Sequence, residues 1–228
     1  MGERVGVVSL GWVTIGWMRT VLDVLRGRLA GPLPGTGAQL RMAPRFPSGV
    51  IPGPTADELR PAAAIVLIYP HDGAWHLPLT VRGSQLRHHT GQVSLPGGRI
   101  DPGESVEAAA LREAQEEIGV NPSDVELLGR LTPLAIDVSG HLLHPVVGRT
   151  SERPRFQVAA WEVERLIEVR VANLLQPDSL KWERRQRSRP PREIMDAPYF
   201  EVEGAHVWGA TAMVLAEFLA LLGDLDVG

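Results

Sequence analysis

Three glutamates on one predicted helix are the residues of this sequence best suited to hold a metal ion. Residues 104–118 are almost all good helix formers, and Gly119 suits a left-handed helix end. On a helical wheel, Glu113, Glu116 and Glu117 gather on one face and apolar side chains on the opposite face. Because hard divalent cations prefer oxygen ligands, the spacing predicts a cation site on a helix whose other face is buried.

An acidic helix face also has a simpler explanation, which is solvation alone. Carboxylates at this spacing repel by roughly 0.2–0.5 kcal/mol per pair, a cost that an exposed helix tolerates without a cation. Gly97 and Gly98, however, form a glycine-rich turn before the helix. Glu104 follows that turn, and Arg112 stands beside Glu113. These additional residues favour the metal site over the solvated face.

The residues from Gly98 to Val120 match the pattern G-x5-E-x7-R-E-U-x-E-E-x-G-U, in which U is an aliphatic residue. This pattern resembles the box that defines the Nudix hydrolases. Its fixed polar positions are all present, and the departure is Ala114, which is smaller than the usual aliphatic residue. Agreement over so long a spacing is specific to that family.

The resemblance implies a fold, a cofactor and a set of ligands. The fold is an α/β (α+β) three-layer α/β/α sandwich around a mixed β-sheet, and the cofactor is Mg²⁺ or Mn²⁺. In such a site Arg112 holds a carboxylate in position through charge-assisted hydrogen bonds, and Glu104 acts as a supporting structural partner. The implied metal ligands are Glu113, Glu116, Glu117 and the Gly98 carbonyl.

The reaction that the resemblance implies is hydrolysis of a phosphoanhydride. A pyrophosphate repels hydroxide, and bound metal ions neutralise its oxygens and lower the pKa of a bound water. The base is then either Glu113 or a carboxylate outside the box, for which Glu162 at a predicted strand end is the candidate. An ordinary exposed glutamate is an equally good interpretation of Glu162.

Two patterns outside the box look like those of the coenzyme A pyrophosphatase branch of the family. The first is L-T-x-R-[SA]-x3-R-x3-G-x3-F-P-G-G, which residues 79–98 follow with Gly83 in place of the small Ser or Ala and Leu95 in place of Phe. The second is I-W-G-x-T-A at the start of the last helix, which residues 207–212 resemble as V-W-G-A-T-A. The whole resemblance covers about residues 62–222.

This second resemblance implies that the substrate is coenzyme A or acyl-coenzyme A, cleaved to 3′,5′-ADP and 4′-phosphopantetheine or its acyl form. Forked guanidinium groups suit phosphate oxygens, so Arg82 and Arg87 are predicted substrate-binding residues, together with the backbone of Gly97 and Gly98. Surface ion pairs are the competing interpretation of both arginines. Another nucleoside diphosphate derivative (ADP-ribose, NADH or a nucleoside triphosphate) and a catalytically silent binding module stay open as alternatives.

The elements that must position these residues follow from apolar runs and turn residues. Residues 62–69 and 75–81 predict a β-hairpin, residues 125–131, 142–148 and 156–163 predict further strands, and residues 208–222 predict a terminal helix. The polar, basic residues 180–193 favour an exposed loop. The basic side chains of that loop either attract an anionic ligand or are merely solvated.

Histidines and tryptophans offer weaker signals. His88 and His89 are adjacent, so they point in different directions, and Mg²⁺ favours oxygen over nitrogen, which argues against a metal role. His141 and His144 flank a turn region and are expected to make ordinary polar contacts. The tryptophans Trp75, Trp161 and Trp208 are predicted core aromatics, with stacking on adenine as the alternative.

The chain is predicted to divide into an N-terminal arm, residues 1–60, and a Nudix hydrolase domain, residues 61–223. Residues 19–29 have the pattern of an amphipathic helix, and residues 31–61 are rich in Gly and Pro, as in a linker. Residues 5–18 are apolar but shorter than the roughly 20 residues that span a bilayer, and no signal-peptide cleavage site follows them. Translation starting at Met18 instead of Met1 stays open.

Composition limits the partners. The chain has 23 basic and 27 acidic residues and a formal net charge of -4, so no global positive field draws it to nucleic acid or a membrane surface. Cysteine is absent, which excludes disulfides and thiolate chemistry. A small-molecule substrate and a cytoplasmic location are expected, and a homodimer stays open.

Overall fold

The computed structural model describes residues 11–49, 59–83, 91–187, 192–223, 225 and 227, with side chains from Thr20 onward. The helices are α1 (Gly11–Leu29), α2 (Gly35–Gln39), α3 (Val106–Ile118), α4 (Val171–Leu175) and α5 (Gly209–Leu222). The strands are β1 (Arg60–His71), β2 (Ala74–Arg82), β3 (Val93–Ser94), β4 (Gly97–Arg99), β5 (Glu126–Arg130), β6 (Leu134–Ile136), β7 (His141–Arg149), β8 (Val163–Arg170), β9 (Leu180–Gln186), β10 (Ile194–Val202) and β11 (Ala205–Trp208).

The main sheet is mixed. Its strands run in the order β3-β2-β1-β7-β5, with β4 also paired to β1, β6 to β7 and β8 to β2. The β1–β7 pair is parallel, and the other pairs of this sheet are antiparallel. The predicted hairpin is confirmed, since His71 pairs with Ala74 across its turn.

Strand β1 lies between two apolar cores. Its odd-numbered residues Ala63, Ile65 and Leu67 pack with α3 in one core, and its even-numbered residues Val66 and Ile68 pack with α1 and α5 in the other. Side chains alternate between the faces of a strand, so an unbroken apolar run is what a strand covered on both faces requires. The result is the predicted α/β/α sandwich.

Helix α1 and helix α2 belong to the α5 side of the sheet. The predicted amphipathic face of α1 is buried, with Leu25 fully covered. In α2, Gln39 is 1% exposed and its amide donates to Glu217 of α5 at 2.8 Å. The Gly- and Pro-rich stretch therefore contains a short helix that packs on the domain core. No helix in the described residues is long and apolar enough to cross a membrane.

Two predictions about elements and one about a side chain are wrong. Residues 156–162 form no strand, and the strand begins at Val163 instead. Residues 180–186, predicted as a loop, form β9 of a second antiparallel sheet, ordered β11-β10-β9. Trp161 is no core aromatic, because it is 68% exposed, whereas Trp75 is buried as predicted. The polar sequence of β9 gave no local sign of a strand. The strand forms because it pairs with β10, whose residues are distant along the chain.

Candidate active site

Helix α3 is capped at both ends by the residues that flank it, Ser105 and Gly119. Ser105 begins it, and its hydroxyl accepts a hydrogen bond from the Ala108 N–H at 3.1 Å. Gly119 ends it with a φ of 72°, the left-handed conformation predicted from the sequence. The apolar face of the helix packs on β1, so the opposite face can present carboxylates at the edge of β4.

Glu117 lies at the centre of the site and is 3% exposed. One of its carboxylate oxygens accepts from the Gly97 N–H at 3.3 Å, and the other accepts from the Thr80 hydroxyl at 3.4 Å. Burial, with smaller contributions from the charges of Glu162 and Glu113, raises the pKa of Glu117 to about 8. Two long hydrogen bonds leave this buried carboxylate short of positive partners.

Glu113 lies directly against the glycine-rich turn. A Cβ placed on Gly98 would come within 2.4 Å of the Glu113 Oε1, so this close approach requires glycine. Burial is the largest influence on Glu113 and raises its pKa, against the nearby Arg112 cation that lowers it. The charges of Glu116 and Glu162 raise the same pKa. Glu113 is thus the second carboxylate for which the anionic form is disfavoured.

Arg112 organises the outer edge of the site. Its Nε and Nη2 donate to the two oxygens of Glu104 at 3.0 and 3.1 Å, and its Nη1 donates to Glu113 at 2.8 Å. Nη2 also donates to the Arg99 carbonyl at 2.9 Å. The paired carboxylates raise the pKa of Arg112, and the Arg112 cation lowers the pKa of Glu104. One guanidinium therefore ties α3 to the loop before it and to the end of β4.

Glu162 enters the site from the loop that precedes β8. Its Oε1 lies 3.4 Å from the Nη2 of Arg82, and its carbonyl accepts from the Gly83 N–H at 2.9 Å. The same loop is bonded to the end of α3, because the Ala159 N–H donates to the Glu117 carbonyl at 2.9 Å. The buried Nε of Arg82 has no hydrogen-bond partner among the described residues.

The structure brings together Glu113, Glu117 and Glu162, all of which interact electrostatically. Glu116 lies at the rim, where its side chain is 51% exposed and contacts Arg112 at 3.3 Å. Arg87 lies outside the described residues, as do His88 and His89. The sequence reasoning gave no role to Thr80, although Thr80 belongs to the L-T-x-R pattern that was singled out.

The donor set suits a hard cation. The charge of Glu162 raises the pKa of both Glu113 and Glu117, so the three carboxylates are an excess of negative charge, and oxygen is the ligand atom that Mg²⁺ and Mn²⁺ prefer. Within the described part of the chain, no three acidic, histidine or cysteine side chains are placed as a finished metal-binding group. Arg112 occupies Glu113 and Glu116 in this arrangement.

The other predicted basic residues have different roles from those considered. On β9, Lys181 pairs with Glu201 and Arg185 pairs with Glu183, so these side chains form the ion pairs of a sheet surface. Arg187 is 5% exposed and pairs with Asp137. These basic residues are engaged with carboxylates of the chain itself.

A mixed sheet between helices, with a glutamate-rich helix following a glycine turn, is the arrangement expected of a hydrolase of phosphoanhydride bonds. The chain belongs to the Nudix family, since the model of the NUDIX domain matches residues 58–195. The Nudix hydrolase NudL of Pectobacterium atrosepticum, described as uncharacterized, is 36% identical over 169 residues, which cover 72% of this chain and 84% of that protein. Nudix hydrolase 3 of Caenorhabditis elegans is 33% identical over 164 residues, covering 66% and 68%.

Solved structures overlap with part of the chain. A C. elegans Ap4A hydrolase in a binary complex superposes with a TM-score of 0.43 at 18% identity, covering 49% of this chain and 80% of that one. This overlap bears on neither substrate nor mechanism. Family membership is what assigns the activity: the protein is a Nudix hydrolase, and Nudix hydrolases generally use divalent metal ions.

Proposed function

We propose that this Nudix hydrolase cleaves the diphosphate of coenzyme A or acyl-coenzyme A, giving 3′,5′-ADP and 4′-phosphopantetheine or its acyl form. Mg²⁺ or Mn²⁺ is the cofactor. The proposal also includes a small-molecule substrate and a cytoplasmic location. It further includes a division of the chain into an N-terminal arm, residues 1–60, and a Nudix hydrolase domain, residues 61–223. The proposed metal ligands are Glu113, Glu116, Glu117 and the Gly98 carbonyl.

One observation carries the substrate assignment: of the two patterns that resemble the coenzyme A branch, the first contacts the site and the second contacts the first. From the first pattern, the Thr80 hydroxyl donates to Glu117, and Arg82 pairs with Glu162. From the second, the Thr211 hydroxyl of α5 donates to the Val93 carbonyl of β3 at 3.1 Å, and Val93 lies within the first pattern. These contacts join the two patterns to each other and the first pattern to the proposed site, which supports the assignment.

The site residues divide the work of the reaction among them. Glu113, Glu116, Glu117 and the Gly98 carbonyl would hold a dication, which would supply neutralisation of the diphosphate charge and a lower pKa for the attacking water. Glu117 is anchored by the Gly97 N–H, and Glu113 is oriented by Arg112, so both carboxylates face the glycine turn. Glu162 stands beside them as the proposed base outside the box, with Glu113 as the alternative base. Arg82, next to Glu162, is proposed to contact a substrate phosphate.

A substrate panel tests this function. Purified protein is incubated with Mg²⁺ or Mn²⁺ and either coenzyme A, acetyl-coenzyme A, ADP-ribose, NADH or a nucleoside triphosphate, and kcat/KM is measured for each. We expect the highest value for coenzyme A or its acyl form. A higher value for another substrate would reassign the substrate within the family, and binding without turnover would indicate a silent module.

The metal ligands are tested on the same helix. Glu116→Gln is compared with Glu107→Gln. The control makes the same change in the first turn of the same helix, where Glu107 pairs with Arg130. We expect Glu116→Gln to lower turnover and to raise the Mg²⁺ concentration needed for half-maximal rate about 10- to 100-fold, with Glu107→Gln unchanged. Near-normal turnover of Glu116→Gln in saturating Mg²⁺ would remove Glu116 from the ligand set.

A further inference from the structure

The beginning of β1 and its neighbours carry a group of basic side chains that the proposed reaction does not use. Arg60 of β1 is the register partner of His141 of β7, and Ala62 of β1 is the register partner of Arg99 of β4. Strands β7 and β4 flank β1, so the three basic residues lie across adjacent strands. They are called the β1 basic cluster below.

The three side chains of the β1 basic cluster share a face of the sheet. Register partners point to the same side, and residues two apart along a strand do so as well. Arg60 and Ala62 therefore face the same side as Val66, which packs in the core formed with α1 and α5. Leu143, two residues after His141, packs against that same core. The cluster thus lies on the α5 side of the sheet, at the end where that core gives way to solvent.

No acidic side chain in the described part of the chain forms an ion pair with Arg60 or Arg99. The Nη2 of Arg60 donates to the Ser139 carbonyl at 3.1 Å, and both arginines are exposed. Like charges on neighbouring strands destabilise a sheet unless an opposite charge joins them. Arg82 and Arg112, which lie at the site, each pair with a carboxylate, whereas Arg60 and Arg99 pair with none among the described residues.

The histidine of the cluster responds to this local excess of positive charge. Burial lowers the pKa of His141, and the charges of Arg60 and Arg99 lower it further. Because Arg60 is the register partner of His141 and Arg99 lies on the other strand paired with this end of β1, both arginines can act on one bound group together with His141. His141 keeps a neutral ring that can donate one hydrogen bond to an anion.

The β1 basic cluster adjoins the active site through β4. Arg99 directly follows Gly98, which contacts Glu113, and the Arg99 carbonyl accepts from the Arg112 guanidinium. One face of this strand end therefore leads to the carboxylates and the other to the cluster. A substrate that spans the end of β4 can meet both.

We propose that Arg60, Arg99 and His141 bind a phosphate monoester carried by the substrate, separate from the diphosphate that is hydrolysed. Two guanidinium forks and one imidazole N–H match the three acceptor oxygens of a terminal phosphate. The proposal rests on the proposed function, because coenzyme A carries such a group at its 3′ position and ADP-ribose and NADH do not. It names the residues that distinguish these substrates.

Binding to the wild-type protein gives the first test. Isothermal titration without metal compares adenosine 3′,5′-bisphosphate with adenosine 5′-monophosphate. We expect the bisphosphate to bind about tenfold more tightly, which is the smaller end of what one charge-assisted contact contributes. Equal affinities would overturn the proposal without any variant being made.

Kinetics on variants gives the second test. Arg60→Gln and Arg99→Gln are compared with Arg149→Gln, a control at the opposite end of β7 whose side chain pairs with Glu126. With coenzyme A we expect kcat/KM to fall about tenfold in each test variant, and with 3′-dephospho-coenzyme A to stay within about twofold. An equal fall with both substrates would overturn the proposal, since it would mean a general structural effect.

The two proposals fail in different ways. Hydrolysis of coenzyme A with no preference for the 3′-phosphate in binding or kinetics would overturn the β1 basic cluster and keep the proposed function. Preferred binding of the bisphosphate, lost in Arg99→Gln, with no hydrolysis of coenzyme A would support the cluster and overturn the proposed function.

Discussion

Two helices each bury a glutamate, and the two glutamates lie on opposite faces of the main sheet. Glu217 of α5 is fully buried and accepts hydrogen bonds from two side chains and two backbone N–H groups. The donors are Gln39 Nε2 at 2.8 Å, Thr132 Oγ1 at 2.7 Å, Thr132 N at 3.2 Å and Gly35 N at 3.1 Å. Glu117 of α3 is almost as deeply buried but accepts two bonds of 3.3 and 3.4 Å, and two further carboxylates act on it.

The contrast separates a structural carboxylate from one suited to bind a cation. Buried charges are stable when hydrogen bonds satisfy their oxygens, as the partners of Glu217 do. Glu217 thereby joins α2 and the segment after β5 to α5. Glu117 has a pKa raised to about 8 because the surrounding groups do not stabilise its charge. A buried carboxylate left in that condition is a functional candidate with a physical reason.

The largest expected effect comes from Glu117→Gln, which keeps the shape of the side chain and removes its charge. We expect kcat/KM to fall at least about a thousandfold, because stabilisation by a bound metal contributes several kcal/mol to the barrier. Stability of the metal-free protein should be unchanged or higher, since an unfavourable buried charge is removed. Steady-state kinetics and urea unfolding check both points, and a large loss of stability would contradict the contrast.

Glu217→Gln is expected to show the opposite behaviour. The new amide turns two N–H groups toward the donors Gln39 and Thr132, so we expect a loss of about 2–3 kcal/mol in the free energy of unfolding. Turnover per folded molecule should stay within about twofold, because Glu217 is outside the site. Urea midpoints with kinetics at a temperature where both proteins are folded measure this. A catalytic loss without a stability loss would make Glu217 part of the site.

The pH dependence of stability sharpens the same comparison. The folded pKa of Glu117 is about 8 and its ordinary value is 4.5, so between these values the unfolded chain gives up the proton first. The contribution of Glu117 to the stability of the metal-free protein is therefore fully present below about pH 4.5 and is lost as pH rises toward 8. We expect a loss of roughly 2 kcal/mol between about pH 5 and about pH 7, measured by urea unfolding after chelation. The same pH profile in Glu117→Gln would contradict this origin.

The smallest expected effect is that of Thr80→Val. This near-isosteric change removes the hydroxyl that donates to Glu117 and contacts the Ser94 hydroxyl at 3.0 Å. We expect about a fivefold fall in kcat/KM, in keeping with one neutral hydrogen bond of about 1 kcal/mol. Thr80→Ser, which keeps the hydroxyl, is the matched control and should stay near wild type. Equal losses in both variants would assign the effect to packing.

The sequence predicted the part of the site that lies within one helix and its preceding turn. Helix-forming residues, a glycine end and i, i+3, i+4 spacing are local properties, so α3 and the positions of Glu113 and Glu117 could be read without the fold. The family resemblance added the sandwich, which the strand order confirms. The burial of Glu117 could not be predicted from the sequence. It depends on residues of β2 and β4 that cover the acidic face of α3, and a helical wheel shows only which residues share that face.

The failures concern elements whose conformation is set by distant partners. Residues 156–162 have apolar side chains at strand-like spacing, but the N–H groups of Gln157 and Ala159 bond carbonyls at the end of α3 and so are not available for sheet pairing. Lys181 of β9 pairs with Glu201 of β10, and Arg185 pairs with Glu183 on β9 itself, so the polarity of β9 signalled a sheet surface and not a loop. The β1 basic cluster is assembled from three separate strands, and nothing in the local sequence around Arg60 joins it to Arg99.

The close approach of Gly98 to Glu113 limits the substitutions that position 98 can accept during evolution. Every amino-acid replacement that a single nucleotide change can make at a glycine codon adds a Cβ, and at position 98 that atom would fall 2.4 Å from a carboxylate oxygen. Any other residue at position 98 would displace the Glu113 carboxylate from the turn, so a saturation library selected for activity should favour glycine at this position. Single-nucleotide substitutions in the Gly98 codon that change the amino acid are therefore expected to be selected against.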